Sequence, residues 1–509
     1  MLARLHSVAL VGIEAVACEV EVDVSGRGLT HTTIVGLPDP AVKESVDRVR
    51  SSMINSGFGF PKTKTLVNLA PADLRKEGPA FDLPIALGLL LGDGGITSDV
   101  TEDYLVAGEL ALDGRVRTVK GALSMAMLAR HRGLRGVIVP RANGDEAAVV
   151  TDIEVIPVES LTQAVGFISA QLDLEPATVD LDKVFQDASR YDVDFGEVRG
   201  QEPVKRALTV AGAGGHNILL IGPPGAGKTM LARRLPTVLP PLSLPESLET
   251  TRIYSAAGQM PAGTSLLATR PVRMPHHSAS APALVGGGTI PTAGEVSLAH
   301  HGILFLDEFP EFPRKALETL RQPLEDGVVT IARAHSSVQF PAWFMLVAAM
   351  NPCPCGYFTD PRRPCKCSPR QIEQYLSRIS GPLIDRIDIH IEVPAVPYRQ
   401  LRDDRSGTDS ATMRTQVLAA REQQKHRFDG DSTMLNARMR PRQLRRSCKL
   451  DSSGEALLRQ AMTELGLSAR AHDKILRVAR TIADIADSDS IRPEHVSEAI
   501  QYRRLDRQL

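Results

Sequence analysis

Residues 222–229 read GPPGAGKT. The string fits G-x-x-x-x-G-K-[ST], a turn whose backbone N–H groups point at phosphate oxygens. Gly222, Pro223, Pro224, Gly225, Ala226 and Gly227 make the turn. The three glycines permit positive φ and close approach of a phosphate. Lys228 is placed to neutralise the β/γ-phosphates of ATP, and Thr229 to offer a hydroxyl to Mg²⁺. The flanks fit this reading better than a chance glycine-rich loop. Asn217–Ile221 (NILLI) reads as a buried strand, and Met230–Leu235 (MLARRL) opens a helix.

Outward from this loop, residues 303–308 read ILFLDE. Four apolar residues predict a central parallel strand. Asp307 then falls at the carboxyl end, where open α/β sheets bind ligands, and can hold Mg²⁺. Glu308 is placed to polarise an attacking water, which predicts hydrolysis rather than binding alone. An acidic pair after a strand can also serve as a helix N-cap. Behind a phosphate loop at this distance, the catalytic reading is preferred. Phe344–Ala349 predicts another apolar strand. Asn351 after it is either a polar contact to the γ-phosphate or an Asn turn before proline. In LIDRID, residues 383–388, Arg386 is either an arginine finger for a neighbouring subunit or a salt-bridge partner of Asp385 or Asp388.

Composition bounds the remainder. A chain of 509 residues has room for two to four domains. A formal net charge of −1 gives no global basic field, so nucleic-acid binding must come from local patches or a ring of subunits. An apolar fraction of 43% is that of a soluble protein, and no apolar run is long enough to span a bilayer. The N-terminus meets Glu14 and then alternates apolar with acidic residues, unlike a signal peptide. The expected location is the cytoplasm, with no membrane partner.

Cys18 and Cys448 stand alone, but Cys353, Cys355, Cys365 and Cys367 form CPCGYFTDPRRPCKC. In a reducing compartment two C-x-C pairs suggest zinc on thiolates rather than disulfides. The commoner spacing is C-x₂-C, and free thiols in a loop are the alternative. Any metal here braces a loop beside the nucleotide rather than doing chemistry.

The organisation predicted is a multidomain α/β chain. Residues 1–170 alternate short strands with two helical stretches; 171–190 is an acidic linker; 191–400 carries the nucleotide motifs; 401–509 is helical. FPEFPRKALETLRQPLEDG predicts a helix ending at Gly327, and residues 328–342 predict a β-hairpin. Arg333 and His335 fall near its tip. They offer a DNA contact, together with Arg270, Arg273, His276 and His277. A solvated turn is the alternative for Arg333.

These residues carry a resemblance. VRGQEPVKRAL, GPPGAGKT, MPHHSASAPALVGGG, GILFLDEFPEF, VAAMNPCPCG and LSRISGPLIDRIDIHIEV resemble the AAA+ ATPases of the magnesium-chelatase I-subunit group, and within it the ComM/YifB subfamily. The resemblance covers essentially the whole chain. It implies an AAA+ core, a helical lid and a homo-hexamer. By motif, Asn351 becomes sensor 1, Arg386 the arginine finger and Arg470 the sensor 2 arginine. His276 and His277 fall in a helix-2 insert, and the hairpin becomes the pre-sensor insert.

Residues 76–94 and 108–143 also resemble the proteolytic domain of Lon, whose fold uses a Ser–Lys dyad. The serine position falls on Ala80 and the lysine position on Ala126, and alanine can do neither job. Lys120 and Ser124 lie nearby, with no nucleophile beside Ala80. The resemblance implies an inactive Lon-like α+β domain used for assembly or docking. Three functions compete: a DNA-acting motor for branch migration or recombination, magnesium insertion into a porphyrin, and a nucleotide-switched regulator. The first domain argues against the second, and the intact Lys228, Asp307 and Glu308 against the third.

Overall fold

The computed structural model describes every residue except 1, 26–30, 188–190, 289–290, 333–336, 359, 361–362, 398–406 and 504–509. Two compact units emerge. One comprises Met1–Asp187 with Ser247–Ala268, the other Ala188–Glu246 with Thr269–Leu509.

The first unit is built on a mixed sheet of strands ordered His31–Val35, Lys64–Ala70, Glu14–Val24, Leu2–Val11, Tyr104–Val106, Gly136–Pro140 and Glu154–Val158. Period-two alternation selects the faces. In Glu14–Val24, Val20, Val22 and Val24 point inward while Glu19 and Asp23 face solvent. The helix Asp82–Gly92 is apolar on all sides and almost wholly buried. Gly88 lets it approach the sheet: a Cβ there would stand 2.6 Å from Val22 Cγ2. More helices are present than the two stretches expected, including Ser45–Asn55, Ala122–His131 and Leu161–Ile168. Leu181–Asp187, inside the segment expected to be a linker, is also helical.

Ser247–Ala268 joins this unit through non-local bonds. Arg252 pairs with Glu14 at 2.7 Å, Ser255 donates to the Glu146 carboxylate, and Gly121 N–H donates to Ser255 O at 3.2 Å. Leu266 is buried in the cluster around Leu105 and Val137.

The second unit holds a parallel sheet ordered Val272–Arg273, Ile303–Leu306, Met345–Met350, Ile218–Ile221 and Ile389–Glu392. Ile303–Leu306, Met345–Met350 and Ile218–Ile221 are apolar and buried throughout, as strands covered on both faces must be. The C-terminal helices share one core with the sheet. Ile475, Leu476, Val478, Ala479 and Ile482 of Ala469–Ile485 pack in the same cluster as Ile218, Phe305 and Val347. Lys474 of that helix donates to Asp388 at 2.7 Å, and Asn217 N–H donates to the other carboxylate oxygen at 2.9 Å. This pair fixes the helix to the entrance of two strands. The final helix, Pro493–Gln501, starts on proline as expected.

The single helix expected before Gly327 is broken into Phe309–Glu311, Arg314–Glu318 and Arg321–Asp326. Pro310, Pro313 and Pro323 each remove an N–H and cannot sit inside one continuous helix. The hairpin is present as Val328–Ala332 against Ser337–Pro341, with Ala332 opposite Ser337. Arg333 and His335 lie outside the described residues.

Arg270 corrects another expectation. It is buried rather than presented to DNA. It donates two hydrogen bonds to the Glu246 carboxylate (3.1 and 3.2 Å), one to His301 O at 2.7 Å and one to Pro240 O at 2.8 Å. Burial would raise the Glu246 carboxyl, but Arg270 and the Ser243 N–H outweigh it and hold the pKa down at about 2. With an unfolded value near ~4.3, this pair stabilises the fold above that pH. The contribution is lost as pH falls from there toward 2. Arg270→Met should strand a buried carboxylate and lower stability by about 3–5 kcal/mol at neutral pH. Urea unfolding followed by circular dichroism checks this, and Glu246→Gln in the same background should recover part of the loss.

Candidate nucleotide site

The sheet order decides the geometry of the site. Met345–Met350 lies between the strand that feeds the phosphate loop and the strand that feeds Asp307. Ile221 is in register with Met350, and Leu306 with Ala348. Parallel strands in register release their next residues on one edge, so Gly222, Asn351 and Asp307 emerge together.

Gly225 and Gly227 adopt φ of +76° and +90°. A Cβ added to either would meet nothing within 4 Å, so the concave side of the turn is open. Lys228 is buried and donates to Gly222 O at 2.6 Å, Pro223 O at 3.0 Å and Asn351 Oδ1 at 3.1 Å. Burial pushes its pKa down to about 8 against the opposing pull of Asp307. Thr229 Oγ1 donates to Asp307 Oδ2 at 2.6 Å. A hydroxyl and a carboxylate this close can share one hard cation, since Mg²⁺ takes oxygen ligands at about 2.1 Å. The donor set therefore fits a magnesium–nucleotide complex, with Lys228 and the backbone N–H groups facing its phosphates.

Glu308 sits beyond the strand in a left-handed conformation, φ +52°, that turns the chain sharply into Phe309–Glu311. A non-glycine residue there is uncommon and strained. Its N–H donates to Asp307 Oδ1 at 2.9 Å. Its half-exposed carboxylate reaches His277 Nδ1 at 2.8 Å. Sequence reading placed His277 in an insert but missed this contact. The edge strand Val272–Arg273 runs parallel to Ile303–Leu306, so the residues following each emerge on the same side. Arg273 is held by Glu295 in a bidentate pair at 2.6 and 2.7 Å. The cation expected to face DNA thus has its charge matched by the first residue of the helix Glu295–Leu298.

Arg386 and Arg470 are not at this edge. They line a cavity of about 350 Å³ with Asn217, Phe344, Asp388 and Lys474. Asn217 and Asp388 lead into strands whose far ends lead to the phosphate loop and its neighbour. A four-residue strand is about 13 Å long, so the two arginines are out of reach of phosphates on their own Lys228. Arg386 donates to Pro382 O at 2.7 Å and pairs with Glu325, not with Asp385 or Asp388 as the sequence alternative had it. Arg470 is exposed at the first turn of Ala469–Ile485.

Cys353, Cys355, Cys365 and Cys367 converge, their sulfurs all within 4.8 Å of one another. In the first unit Ala126 is fully buried in Ala122–His131, and Ala80 O accepts from Gly108 N–H at 2.9 Å. Ser124 Oγ is committed to Ile13 O at 2.8 Å.

Three family descriptions match the chain: magnesium chelatase, subunit ChlI, over residues 194–401; subunit ChlI of Mg-chelatase over 20–143; and the ChlI C-terminal region over 407–503. Competence protein ComM of Haemophilus influenzae is 44% identical over 100% of this chain and 98% of its own length. YifB of Escherichia coli, an uncharacterized protein, is 44% identical over the same shares. The chain belongs to the ComM/YifB subfamily of magnesium-chelatase-like AAA+ ATPases. Its membership implies ATPase activity with ATP and Mg²⁺, and the nucleotide edge has the groups this needs. Lon protease of Rhizobium meliloti is 26% identical over 34% of this chain and 22% of its own.

For this ComM/YifB ATPase, Glu308→Gln should keep ATP affinity within about twofold and lose 10²-fold or more in turnover, the scale of a general base. Lys228→Ala should weaken nucleotide binding itself. Titration with a fluorescent nucleotide alongside phosphate release separates the two. His277→Ala removes the group that engages the Glu308 carboxylate and should raise basal turnover several-fold; a fall instead would make His277 a support for Glu308.

Proposed function

We propose that the protein is a homo-oligomeric, most simply hexameric, ATP-driven motor acting on DNA, with branch migration or related remodelling in recombination or natural transformation as its task. The observation that carries this is the division of the catalytic set. Lys228, Thr229, Asp307, Glu308 and Asn351 share one edge of the sheet, and Arg386 and Arg470 line a cavity at the other. A site divided in this way is complete only where the second edge of one subunit meets the first edge of the next. Asn351 then acts as sensor 1, Arg386 as the finger and Arg470 as sensor 2.

DNA as substrate rests on full-length similarity to a protein named for competence. With Arg270 and Arg273 each bound to a carboxylate and His277 engaged with Glu308, the candidates left from the sequence are His276, Arg333 and His335. The first unit is read as a Lon-like fold without protease chemistry. Ala80 and Ala126 hold the dyad positions, Ser124 is spent on Ile13 O, and a docking or assembly role is what remains. Among the described residues no helix is long and apolar enough to cross a membrane. Magnesium insertion into a porphyrin is the second reading, favoured by the ChlI descriptions over all three regions.

ATPase assays with single-stranded, duplex and branched DNA, alongside oligomer mass, test the proposal. Branched DNA should stimulate turnover several-fold, and the binding should weaken steeply with salt, as phosphate contacts require. Absence of stimulation by any DNA, with stimulation by a porphyrin-charged chelatase partner, would favour the second reading. Arg386→Ala should bind ATP normally and lose roughly 10³-fold in turnover. Mixing it with Lys228→Ala protein should restore part of the activity, because some interfaces then carry both intact halves. No recovery in oligomers shown to be mixed would overturn the divided site.

A further inference from the structure

The four cysteines after Asn351 go beyond the ATPase reading. Cys353 Sγ lies 3.4 Å from Cys355 Sγ and 3.7 Å from Cys365 Sγ, and Cys355 and Cys365 sulfurs are 3.6 Å apart. The Cys367 sulfur is within 4.8 Å of all three. None of these is a disulfide, which requires sulfurs about 2.05 Å apart. A zinc ion with Zn–S bonds of about 2.3 Å separates its tetrahedral ligands by about 3.8 Å. The spacing observed is close to the edge of that tetrahedron.

Backbone donors also face the sulfurs. Phe358 N–H points at Cys353 Sγ at 3.3 Å and Cys367 N–H at Cys365 Sγ at 3.4 Å. Such bonds offset the negative charge that four thiolates leave after binding one Zn²⁺. Each C-x-C pair sends both sulfurs to the same centre, so the unusual spacing works because two short turns face each other. Cys353 is fully buried and the other three are partly covered.

The cluster abuts the nucleotide edge. Cys353 is two residues beyond Asn351, the acceptor of Lys228. Gly356, at φ +83°, lies against the phosphate loop: a Cβ there would stand 2.5 Å from Pro224 Cδ and 3.7 Å from Asn351 Cγ. We propose that Cys353, Cys355, Cys365 and Cys367 hold one structural zinc ion, and that this ion clamps the loop after Asn351 against Pro224 of the phosphate loop. Zinc here does no chemistry on substrate. The four cysteine thiols would hold it as thiolates, their protons passing to solvent, with no coordination position left open.

The test uses full-length protein purified without chelator. Elemental analysis should find about one zinc per chain. Exchange with Co²⁺ should give the visible bands of a tetrahedral cobalt–thiolate centre. The four thiols should resist a thiol reagent until a strong chelator is added. The double variant Cys365→Ser, Cys367→Ser should lose the metal and raise the KM for ATP several-fold while its circular dichroism is retained. If that variant does not fold, chelator-stripped wild-type protein, with zinc restored afterwards, gives the same comparison. Folded protein with neither zinc nor a cobalt spectrum, and with all four thiols freely reactive, would overturn the site. A metal whose removal leaves the KM for ATP unchanged would overturn the clamp.

Discussion

The short bond from Thr229 to Asp307 depends on a third strand that belongs to neither residue. Met345–Met350 spaces the phosphate-loop strand from the acidic strand and ends in Asn351, which accepts from Lys228. Exchanging Ile303–Leu306 with Met345–Met350 would carry Asn351 a further strand spacing of about 4.8 Å from the loop, beyond hydrogen-bond reach of Lys228. The apolar burial of the three strands keeps that order rigid. The polar cluster at their ends inherits its precision from a hydrophobic core.

Several cations of the second unit are matched in pairs across the chain. Arg270 with Glu246, Arg273 with Glu295, Arg206 with Glu498 and Lys474 with Asp388 join segments distant in sequence. A near-zero net charge is therefore more than a sum over the surface. These four cations act as internal ties between elements rather than as free surface charge.

Local pattern made the nucleotide loop, the acidic pair, the hairpin and the C-terminal helices legible, because each is written in consecutive residues. Pro493 at its helix start and the two C-x-C turns are of this kind. What the sequence did not reveal was pairing across the chain. The partner of His277 is 31 residues away, just beyond the end of the strand Ile303–Leu306, so its contact with Glu308 follows from sheet order rather than spacing. Arg270 and Arg273 looked like free cations for the same reason: their carboxylates come from other elements. The assignment of Ser247–Ala268 was hidden too, since its helical pattern says nothing about which core it joins.

That segment has a consequence for how the protein can be taken apart. The chain passes from the first unit to the second near residue 187, returns after Glu246 and leaves again at Thr269. The units are therefore threaded rather than strung in series. A protease cutting near residue 187 would leave them joined by two further peptide links. A clone begun at residue 191 would carry Leu266 and Arg252 without Val137 and Glu14, an orphaned apolar stretch with a ready tendency to aggregate. A clean excision has to replace residues 247–268 with a short bridge, and the first unit in isolation needs that same stretch supplied back to it.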